Sequence, residues 1–402
     1  MGPYHPALPL PMALTLRLSG ETIVGVAPVD AAGALAPSAT GYCRRGVVDL
    51  CVGRAPDDAM AIVEHSCSLA GAAHRQALCL ALEAVAGVEA PESDRIARSL
   101  FAELARILAR LWTLGQIARA AAENAPYYEA LEQREQFFDA LEDATGERAY
   151  WGVARPGGVR SDVKMAPIRE ALDRFGGAVE TWRVATGPQG PLGRTTVGVG
   201  RITRRRAAEW GLTGVAACGA GLADATGATA DLRRSAPYDG YRDVAITWPD
   251  SSEGTTNAAN AGDDAADGHA ASSSRASGGA NANGKRGDVA DRMRCAVDDM
   301  ALSVTIAQAC LGALGDEPAL GATPILANQW RAGEGAATVA GPHGPVTVAV
   351  SLDAQGTISR LRLATPGAGL LAALPSTLME RPLAHTPLIL ASLDLCLECL
   401  DL

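Results

Sequence analysis

The sequence has no run of the roughly 20 apolar residues that a membrane-spanning helix needs. It also begins without the basic and apolar regions of an export signal. Positive charge is scarce, because 35 Lys and Arg residues face 45 Asp and Glu residues and leave a net charge of −10. Nucleic-acid binding is therefore not expected. We expect no direct membrane span, so that any link to a membrane comes through partner proteins.

The nine cysteines lack the pattern of a disulfide framework, because their number is odd and they are scattered along the chain. This arrangement favours a reducing compartment. A G-x-G-x-x-G turn after a strand is also missing, so any NAD chemistry is expected on another subunit. Hydrophobic residues make up 48% of the chain, which is enough for a large core in one domain or two intimately packed ones.

The hydrophobic pattern is mostly helical. Apolar residues recur at helical spacing in four segments, which predict long packed helices at Asp57–Gly87, Ser93–Asn124, Tyr127–Thr145 and Asp288–Leu314. Alternating apolar and polar residues predict strands between residues 12 and 35 and a second hairpin at 345–364.

The segment Asp250–Lys285 contains almost no large apolar residue. It cannot bury enough surface to offset its ordering entropy, so we expect a disordered insert. The expected organisation has four parts: an N-terminal β region at 1–40, a helical core at 41–249, the insert at 250–286, and a segment at 287–402 that completes the same domain.

Two cysteine motifs stand near opposite ends of the chain. Cys396 and Cys399 have a C-x-x-C spacing, and Cys67 is flanked by Glu64 and His74. Soft thiolate ligands at this spacing predict a metal pocket that both ends of the chain close. Where a second upstream cysteine would complete a C-x-x-C, the chain has Ala70.

These motifs resemble the large subunit of membrane-bound, energy-converting nickel-iron hydrogenases, a family homologous to the 49 kDa (D) subunit of respiratory complex I, the NADH-quinone oxidoreductase. The resemblance implies a mainly α fold with small β additions, an α+β helical core carrying N-terminal and C-terminal β-hairpins. Similar segments follow along the whole chain. They are Gly2–Leu8, Leu100–Leu108, Arg134-Glu135, Arg155–Asp162, Asp231–Tyr238 and Gly287–Met293.

The resemblance implies that Cys67, Cys396 and Cys399 match three of the four thiolates of a nickel-iron site. Ala70 stands at a bridging position and Val48 at the position of a proton-relay glutamate. Alanine offers no lone pair, and valine carries no proton. Three interpretations stay open: a degenerate nickel-iron site, buried thiols left from an ancestral site, and a Cys3His zinc site completed by His74 or His65.

Other site residues follow from the same resemblance. Glu64 and His74 are the catalytic candidates, Glu64 either as a buried carboxyl in a proton path or as a salt-bridge partner. His5 and Arg45 are the candidate cofactor-binding residues, and a quinone is the possible cofactor there. The quinone-ligating histidine of the complex I branch is missing, because Pro9 and Leu10 stand in its place.

The implied function is that of a large subunit in a membrane-associated oxidoreductase complex, similar either to a hydrogenase or to the 49 kDa (D) subunit, in which electron transfer is coupled to proton chemistry. The implied partners are a small iron-sulfur subunit and membrane proton-translocating subunits. The expected location is cytoplasmic, at the inner face of the cell membrane. The alternative is a non-catalytic structural subunit whose metal site has decayed.

Overall fold

The computed structural model describes residues 12–29, 45–222, 231–249, 285–321, 325 and 329–400. The described chain is mainly helical with three small sheets, so the expected fold class is confirmed. His5, the Gly2–Leu8 motif and nearly all of the predicted insert lie outside the described residues.

Three long helices form the centre of the molecule: α4 (Glu92–Ala120), α5 (Asn124–Thr145) and α12 (Val289–Leu314). Helix α4 follows Pro91 and has Glu92 and Asp94 in its first turn, where carboxylates complement the helix dipole. It lies between the other two, and its leucine, isoleucine and alanine side chains are buried in the main hydrophobic core.

Shorter helices surround this centre. They are α1 (Val47–Cys51), α2 (Pro56–Glu64), α3 (Gly71–Ala86), α6 (Ala166–Phe175), α7 (Ala178–Thr186), α8 (Pro191–Thr196), α9 (Arg204–Glu209), α10 (Gly214–Gly219), α11 (Leu232–Ser235), α13 (Gly367–Leu378) and α14 (Thr386–Ser392).

All strand pairs in the described chain are antiparallel. The N-terminal hairpin is confirmed, with Leu16 of one strand opposite Val26 of the other. The second predicted hairpin belongs to a three-stranded sheet that packs on α3 around a second hydrophobic cluster. The strands are β1 (Ala13–Ser19), β2 (Thr22–Val29), β3 (Ala154–Arg155), β4 (Gly158–Val159), β5 (Gly333–Gly341), β6 (Gly344–Leu352) and β7 (Ile358–Ala364).

The helix predicted at Asp57–Gly87 is in fact two helices, α2 and α3, separated by a loop at 65–70. Ser66 begins the interruption, because its hydroxyl donates to the carbonyl of Val63 at 2.6 Å and satisfies a helix-end acceptor. Gly71 allows α3 to start in close contact with α2, since a Cβ atom there would come within 2.2 Å of the Glu64 carbonyl oxygen. The break places Cys67 on a loop.

Helix α12 is long and apolar enough to cross a membrane by length and composition, which the sequence analysis did not anticipate. Half of its most apolar stretch is buried inside the protein, where the helix packs along α4. Buried helices at the centre of a fold often have this length and apolar composition. These two properties are therefore weak evidence for a membrane span.

No disulfide framework was expected, but one cysteine pair in the described residues is bonded. Cys218 of α10 and Cys295 of α12 are joined by a disulfide with a Cα–Cα distance of 6.1 Å. Cysteine spacing could not predict this bond, because 77 residues separate the two cysteines and only the packing of α10 on α12 brings them together. The other described cysteines are free and buried: Cys51, Cys67, Cys79, Cys310, Cys396 and Cys399.

Candidate metal centre

Three cysteine side chains meet at one buried point. The Sγ atom of Cys67 lies 3.4 Å from the Sγ atom of Cys396 and 3.4 Å from that of Cys399. All three Sγ atoms lie within 4.8 Å of one another. Cys67 comes from the loop between α2 and α3, and the other two follow α14. The structure thus brings together the three cysteines that the sequence names as metal ligands.

Ala70 lies against these thiols and is 1% exposed. Its backbone N–H donates to the Sγ atom of Cys67 at 3.2 Å. Within the described chain the group of candidate ligands comprises the three cysteines alone, with no fourth thiol. At the position where a fourth thiol would complete the set, the pocket has the methyl group of Ala70.

His74 lies in the first turn of α3, fully buried, with its Nε2 atom 3.5 Å from the Sγ atom of Cys399. Its Nδ1 atom is 3.0 Å from the hydroxyl oxygen of Ser66, which already donates its only proton to Val63. The Ser66 oxygen must therefore accept from Nδ1–H, which assigns the tautomer and leaves the Nε2 lone pair beside the Sγ atom of Cys399. Burial lowers the pKa of His74 and keeps the ring neutral.

His65, the other imidazole in the zinc interpretation, is exposed and does not join the cluster. Its Nδ1 atom lies 2.8 Å from the Ala61 carbonyl oxygen, and its ring packs against Trp151 at a centroid distance of 4.7 Å. His74 is therefore the histidine that the fold places beside the sulfur atoms.

Cys396 differs from the other two thiols in its surroundings. The thiols of Cys399 and Cys67 hold the pKa of Cys396 well below its usual range, and the nearby His343 adds to the effect. Burial lowers the pKa of His343, but the carboxylate of Asp394 outweighs burial and holds this pKa well above its usual range. These opposite shifts favour the thiolate form of Cys396 beside the protonated form of His343.

Asp394 connects this pocket to the core. Its carboxylate contacts the Nδ1 atom of His343 at 2.9 Å and accepts hydrogen bonds from Arg110 at 2.7 Å and Thr113 at 2.6 Å. These bonds hold Asp394 at a φ of 55°, a left-handed conformation that costs a non-glycine residue roughly 1–2 kcal/mol. His343 and Asp394 were missed by sequence reasoning. The available signal was a lone carboxylate in the apolar segment before Cys396.

Glu64 is 1% exposed and ends α2. Its Oε2 atom accepts from Arg75 and from the backbone N–H of Gly152, both at 2.9 Å. Its Oε1 atom is buried without a hydrogen-bond partner within the described residues. The Glu64 residue lines a small cavity together with Gln76 and Tyr150. Burial raises the pKa of Glu64 against the opposing effect of Arg75. Glu64 thus combines a salt bridge through one carboxylate oxygen with a second, buried oxygen that has no hydrogen-bond partner within the described residues.

Arg45 ties the two cysteine-bearing segments together. Its guanidinium group donates to the carbonyl of Ser66 at 2.7 Å and to the carbonyl of Glu398 at 2.6 Å. The Glu398 carboxylate in turn accepts from the backbone N–H of Ser68 at 2.7 Å and from its hydroxyl at 2.8 Å. These contacts fix Cys67 relative to Cys399 and give Arg45 a structural role at the site.

A cavity of about 70 Å³ opens beside Cys396. Its walls include His343, Asp394 and Trp112. Typical small-molecule sites have volumes of roughly 300–1,000 Å³. The cavity formed by the described residues is therefore much smaller than a site for a quinone head group.

A second buried polar region, the ion-pair network, extends from Asp394 into the core. Arg110 bonds to Asp299 at 2.8 Å, and Asp299 accepts from Arg233 at 2.8 Å. Arg233 also donates to Glu103 at 2.9 Å. Burial raises the pKa of Asp299, but three nearby arginines outweigh burial and hold this pKa below its usual range. These contacts give Arg233 a structural role in the core.

Comparison with known proteins finds two kinds of similarity. The family described as the 49 kDa subunit of respiratory-chain NADH dehydrogenase matches residues 122–259. The C/D subunit of the NADH-quinone oxidoreductase of Shewanella woodyi is 24% identical over 100% of this chain and 63% of that protein. The D 1 subunit of the corresponding enzyme of Roseiflexus castenholzii is 30% identical over 63% of this chain and 58% of that protein.

The D 2 subunit of the NADH-quinone oxidoreductase of Chloroflexus aurantiacus is 28% identical over 81% of this chain. This chain spans 58 to 67% of the length of these three relatives. The chain is therefore a homologue of the 49 kDa (D) subunit of the NADH-quinone oxidoreductases.

Proposed function

We propose that this chain is a D-type subunit of a membrane-associated oxidoreductase complex in which electron transfer is coupled to proton chemistry. One observation carries the proposal: in a homologue of the 49 kDa (D) subunit, three sequence-distant thiols meet in a buried pocket beside the hydrogen-bonded pair of His343 and Asp394. Thiolates are soft metal ligands, and the carboxylate and imidazole are proton carriers. The pocket therefore combines candidate metal ligands with groups that can carry protons.

The residues do not fit a nickel-iron centre. Such a centre needs two bridging thiolates and two further thiolates on nickel, whereas the described pocket offers three thiols and the methyl group of Ala70. Val48 lies on α1 without a proton to relay, and the neighbouring Asp49 is exposed to solvent. We therefore derive no step through nickel or iron.

A single zinc ion fits better. Tetrahedral zinc with Zn–S bonds of about 2.3 Å requires sulfur atoms about 3.8 Å apart, which is a few tenths of an ångström more than the two shortest separations here. His74 lies outside the group of ligand atoms within 4.8 Å of one another and contacts only Cys399, so its Nε2 atom would have to move toward the other two sulfur atoms to complete the set, with Ser66 bonded to the other ring nitrogen. Zinc held by four protein ligands supplies structural stability and no redox chemistry.

A non-catalytic structural subunit is the second candidate. The zinc interpretation favours it, because a zinc ion held by Cys67, Cys396, Cys399 and a repositioned His74 would leave no open coordination position for a substrate. The small cavity beside Cys396 argues against a quinone pocket at that point. In either case NAD chemistry belongs to another subunit.

The proposed partners are a small iron-sulfur subunit and membrane proton-translocating subunits, with the complex at the inner face of the cell membrane. Homology to the 49 kDa (D) subunit supports an assembly with partner subunits. Isolation from native membranes with a mild detergent should yield the chain together with iron-sulfur and membrane proteins. A free monomer at every salt concentration would contradict the proposal.

Elemental analysis of this native complex distinguishes the metal hypotheses. We expect no hydrogen evolution, well under one nickel per chain, and zinc that is lost in a Cys396→Ser variant and retained in a Cys310→Ser control. An Ala70→Cys/Val48→Glu variant tests whether the missing ligand and carboxylate explain the lack of nickel. Stoichiometric nickel and hydrogen turnover in the unmodified protein would refute the degenerate site.

A further inference from the structure

The Cys218–Cys295 pair lies outside the candidate metal centre and joins α10 to α12. Its two sulfur atoms differ in access. Cys218 is half-buried, whereas Cys295 is 3% exposed. A reagent from solvent therefore reaches Cys218 first, and Cys295 is left to react within the protein.

A lysine side chain lies over both sulfur atoms. The Nζ atom of Lys285 is 3.3 Å from the Sγ atom of Cys218 and 3.5 Å from that of Cys295. A third contact, to the carbonyl of Cys218 at 3.1 Å, holds the ammonium group in place. A cation at this distance favours the thiolate form of a cysteine, which is the form that attacks a disulfide. Structural disulfides do not need such a cation.

We propose that Cys218 and Cys295 form a redox-active dithiol that exchanges with small disulfides of the glutathione class, with Lys285 as its positioning residue. In the first step the Cys218 thiolate attacks one sulfur of the small disulfide, forms a mixed disulfide and releases one small thiolate. The Cys295 thiolate then attacks the Cys218 sulfur and releases the second small thiolate. Two protein thiols are oxidised, and one small disulfide is reduced to two thiols.

Both helices joined by this disulfide are connected through hydrogen bonds to residues beside the candidate metal centre. On the α10 side, the hydroxyl of Thr213 donates to the carbonyl of His343 at 2.9 Å. Gly214 has a φ of 57°, and a Cβ atom there would come within 2.8 Å of the same carbonyl oxygen. The start of α10 therefore fixes the backbone of His343.

On the α12 side, Asp299 accepts a hydrogen bond from Arg110, which donates to Asp394. Asp394 in turn contacts His343. The disulfide thus joins the two helices that position the imidazole and the carboxylate beside Cys396. Reduction of the pair should loosen the contacts of α10 with His343 and of α12, through Arg110, with Asp394. This coupling to the metal centre rests on the proposed function, whereas the thiol exchange chemistry does not.

Thiol trapping of the full chain tests the exchange. The protein is equilibrated over a wide range of reduced to oxidised glutathione ratios, alkylated and weighed by intact mass spectrometry. We expect the pair to convert fully between dithiol and disulfide within that range. A Cys295→Ser variant should accumulate the mixed disulfide on Cys218, whereas a Cys218→Ser variant should form little, because Cys295 is buried. A pair that stays oxidised or stays reduced at every ratio would overturn the proposal.

Two charge variants test Lys285. In the reduced protein, Lys285→Gln should slow the reaction of Cys218 with an aromatic disulfide reagent about tenfold, and Lys285→Arg should keep most of the rate, because it keeps the cation. Equal rates in the wild-type protein and both Lys285 variants would show that Lys285 does not activate Cys218.

Hydrogen exchange tests the coupling. Reduction should raise exchange in residues 210–222 and 339–345 of the wild-type protein, and a Cys218→Ser/Cys295→Ser double variant should show the raised exchange under all conditions. Exchange at 339–345 that does not change with the redox state would reject the coupling and leave the thiol exchange intact.

Discussion

The thiol cluster and the ion-pair network are neighbouring buried polar regions that are satisfied in opposite ways. In the network, Arg233 is shared among Asp231, Glu103 and Asp299, so each charge has a partner within 2.9 Å. In the thiol cluster, three sulfur atoms contact mainly one another, and thiols are weak hydrogen-bonding groups. The network is complete without a ligand, whereas the cluster has unused ligand capacity.

The ion-pair network and the thiol cluster are therefore stabilised in different ways. Buried charges are costly unless they are paired, and the network pairs them inside the protein. Buried thiols behave as small hydrophobic groups and cost little when they are unpaired. The protein can therefore keep the cluster with or without a metal, but it cannot lose one member of the network without leaving an uncompensated charge.

The largest effect is expected in the network. Arg233→Met leaves Glu103 and Asp299 without their shared cation, and we expect a loss of about 3–5 kcal/mol in the free energy of unfolding. Urea denaturation measures this loss. The matched control is Arg148→Met, because Arg148 makes its salt bridges on the exposed surface and should leave the midpoint unchanged. Equal effects of the two substitutions would contradict the comparison.

A pH effect is expected at Asp239. Burial raises the pKa of Asp239 to about 6, against the opposing effects of Arg98 and Gln76. The folded protein therefore holds this proton more tightly than the unfolded chain, so the contribution to stability is present below pH 4 and is lost as the pH rises to 6. The loss is at most about 3 kcal/mol.

Denaturation of the wild-type protein and an Asp239→Asn variant between pH 4 and 6 measures this contribution. The stability of the wild type relative to the variant should fall as the pH rises. A constant difference over this range would show that Asp239 keeps an ordinary pKa.

Metal linkage is the next effect in size and sharpens the comparison most directly. Zinc that binds only the folded cluster should raise the free energy of unfolding by about 2.7 kcal/mol at 100 times its Kd. The increase should vanish in Cys399→Ser and persist in Cys310→Ser, since Cys310 lies in α12 away from the cluster. Thermal unfolding with zinc and with a chelator gives the measurement.

The smallest effect is expected from the low-complexity segment. Deletion of residues 250–283, which spares Lys285, should shift the thermal midpoint by only a few degrees, because loop closure entropy changes by roughly 1 kcal/mol. Differential scanning calorimetry measures the shift. A large loss of folded protein would mean that the segment takes part in the fold or in a partner interface.

Periodicity predicted the long helices well, because each is amphipathic over several turns. The segment Ser93–Asn124 corresponds to α4, and Asp288–Leu314 to α12. The pattern could not predict the break before Gly71, since apolar residues continue at helical spacing through the loop and only the close approach of Gly71 to Glu64 marks it.

Strand β5 was missed for a related reason. Its residues Gly333–Gly341 are mostly glycine and alanine, which have a low strand propensity, and pairing with β6 determines the structure. At the site, spacing identified Cys67, Cys396 and Cys399 as a group. It could not identify His343, because the pair that His343 forms with Asp394 joins segments 51 residues apart through tertiary packing.

The distance along the chain between Cys67 and Cys396 also sets a condition on biosynthesis. The two residues are 329 positions apart. At about 5–20 residues per second, a ribosome needs roughly 15 to 65 s to travel from one codon to the other. During that time Cys67 stands in the nascent chain without its partners. Any ion must therefore be delivered after translation of the second motif, which places metal loading under the control of the last folding steps.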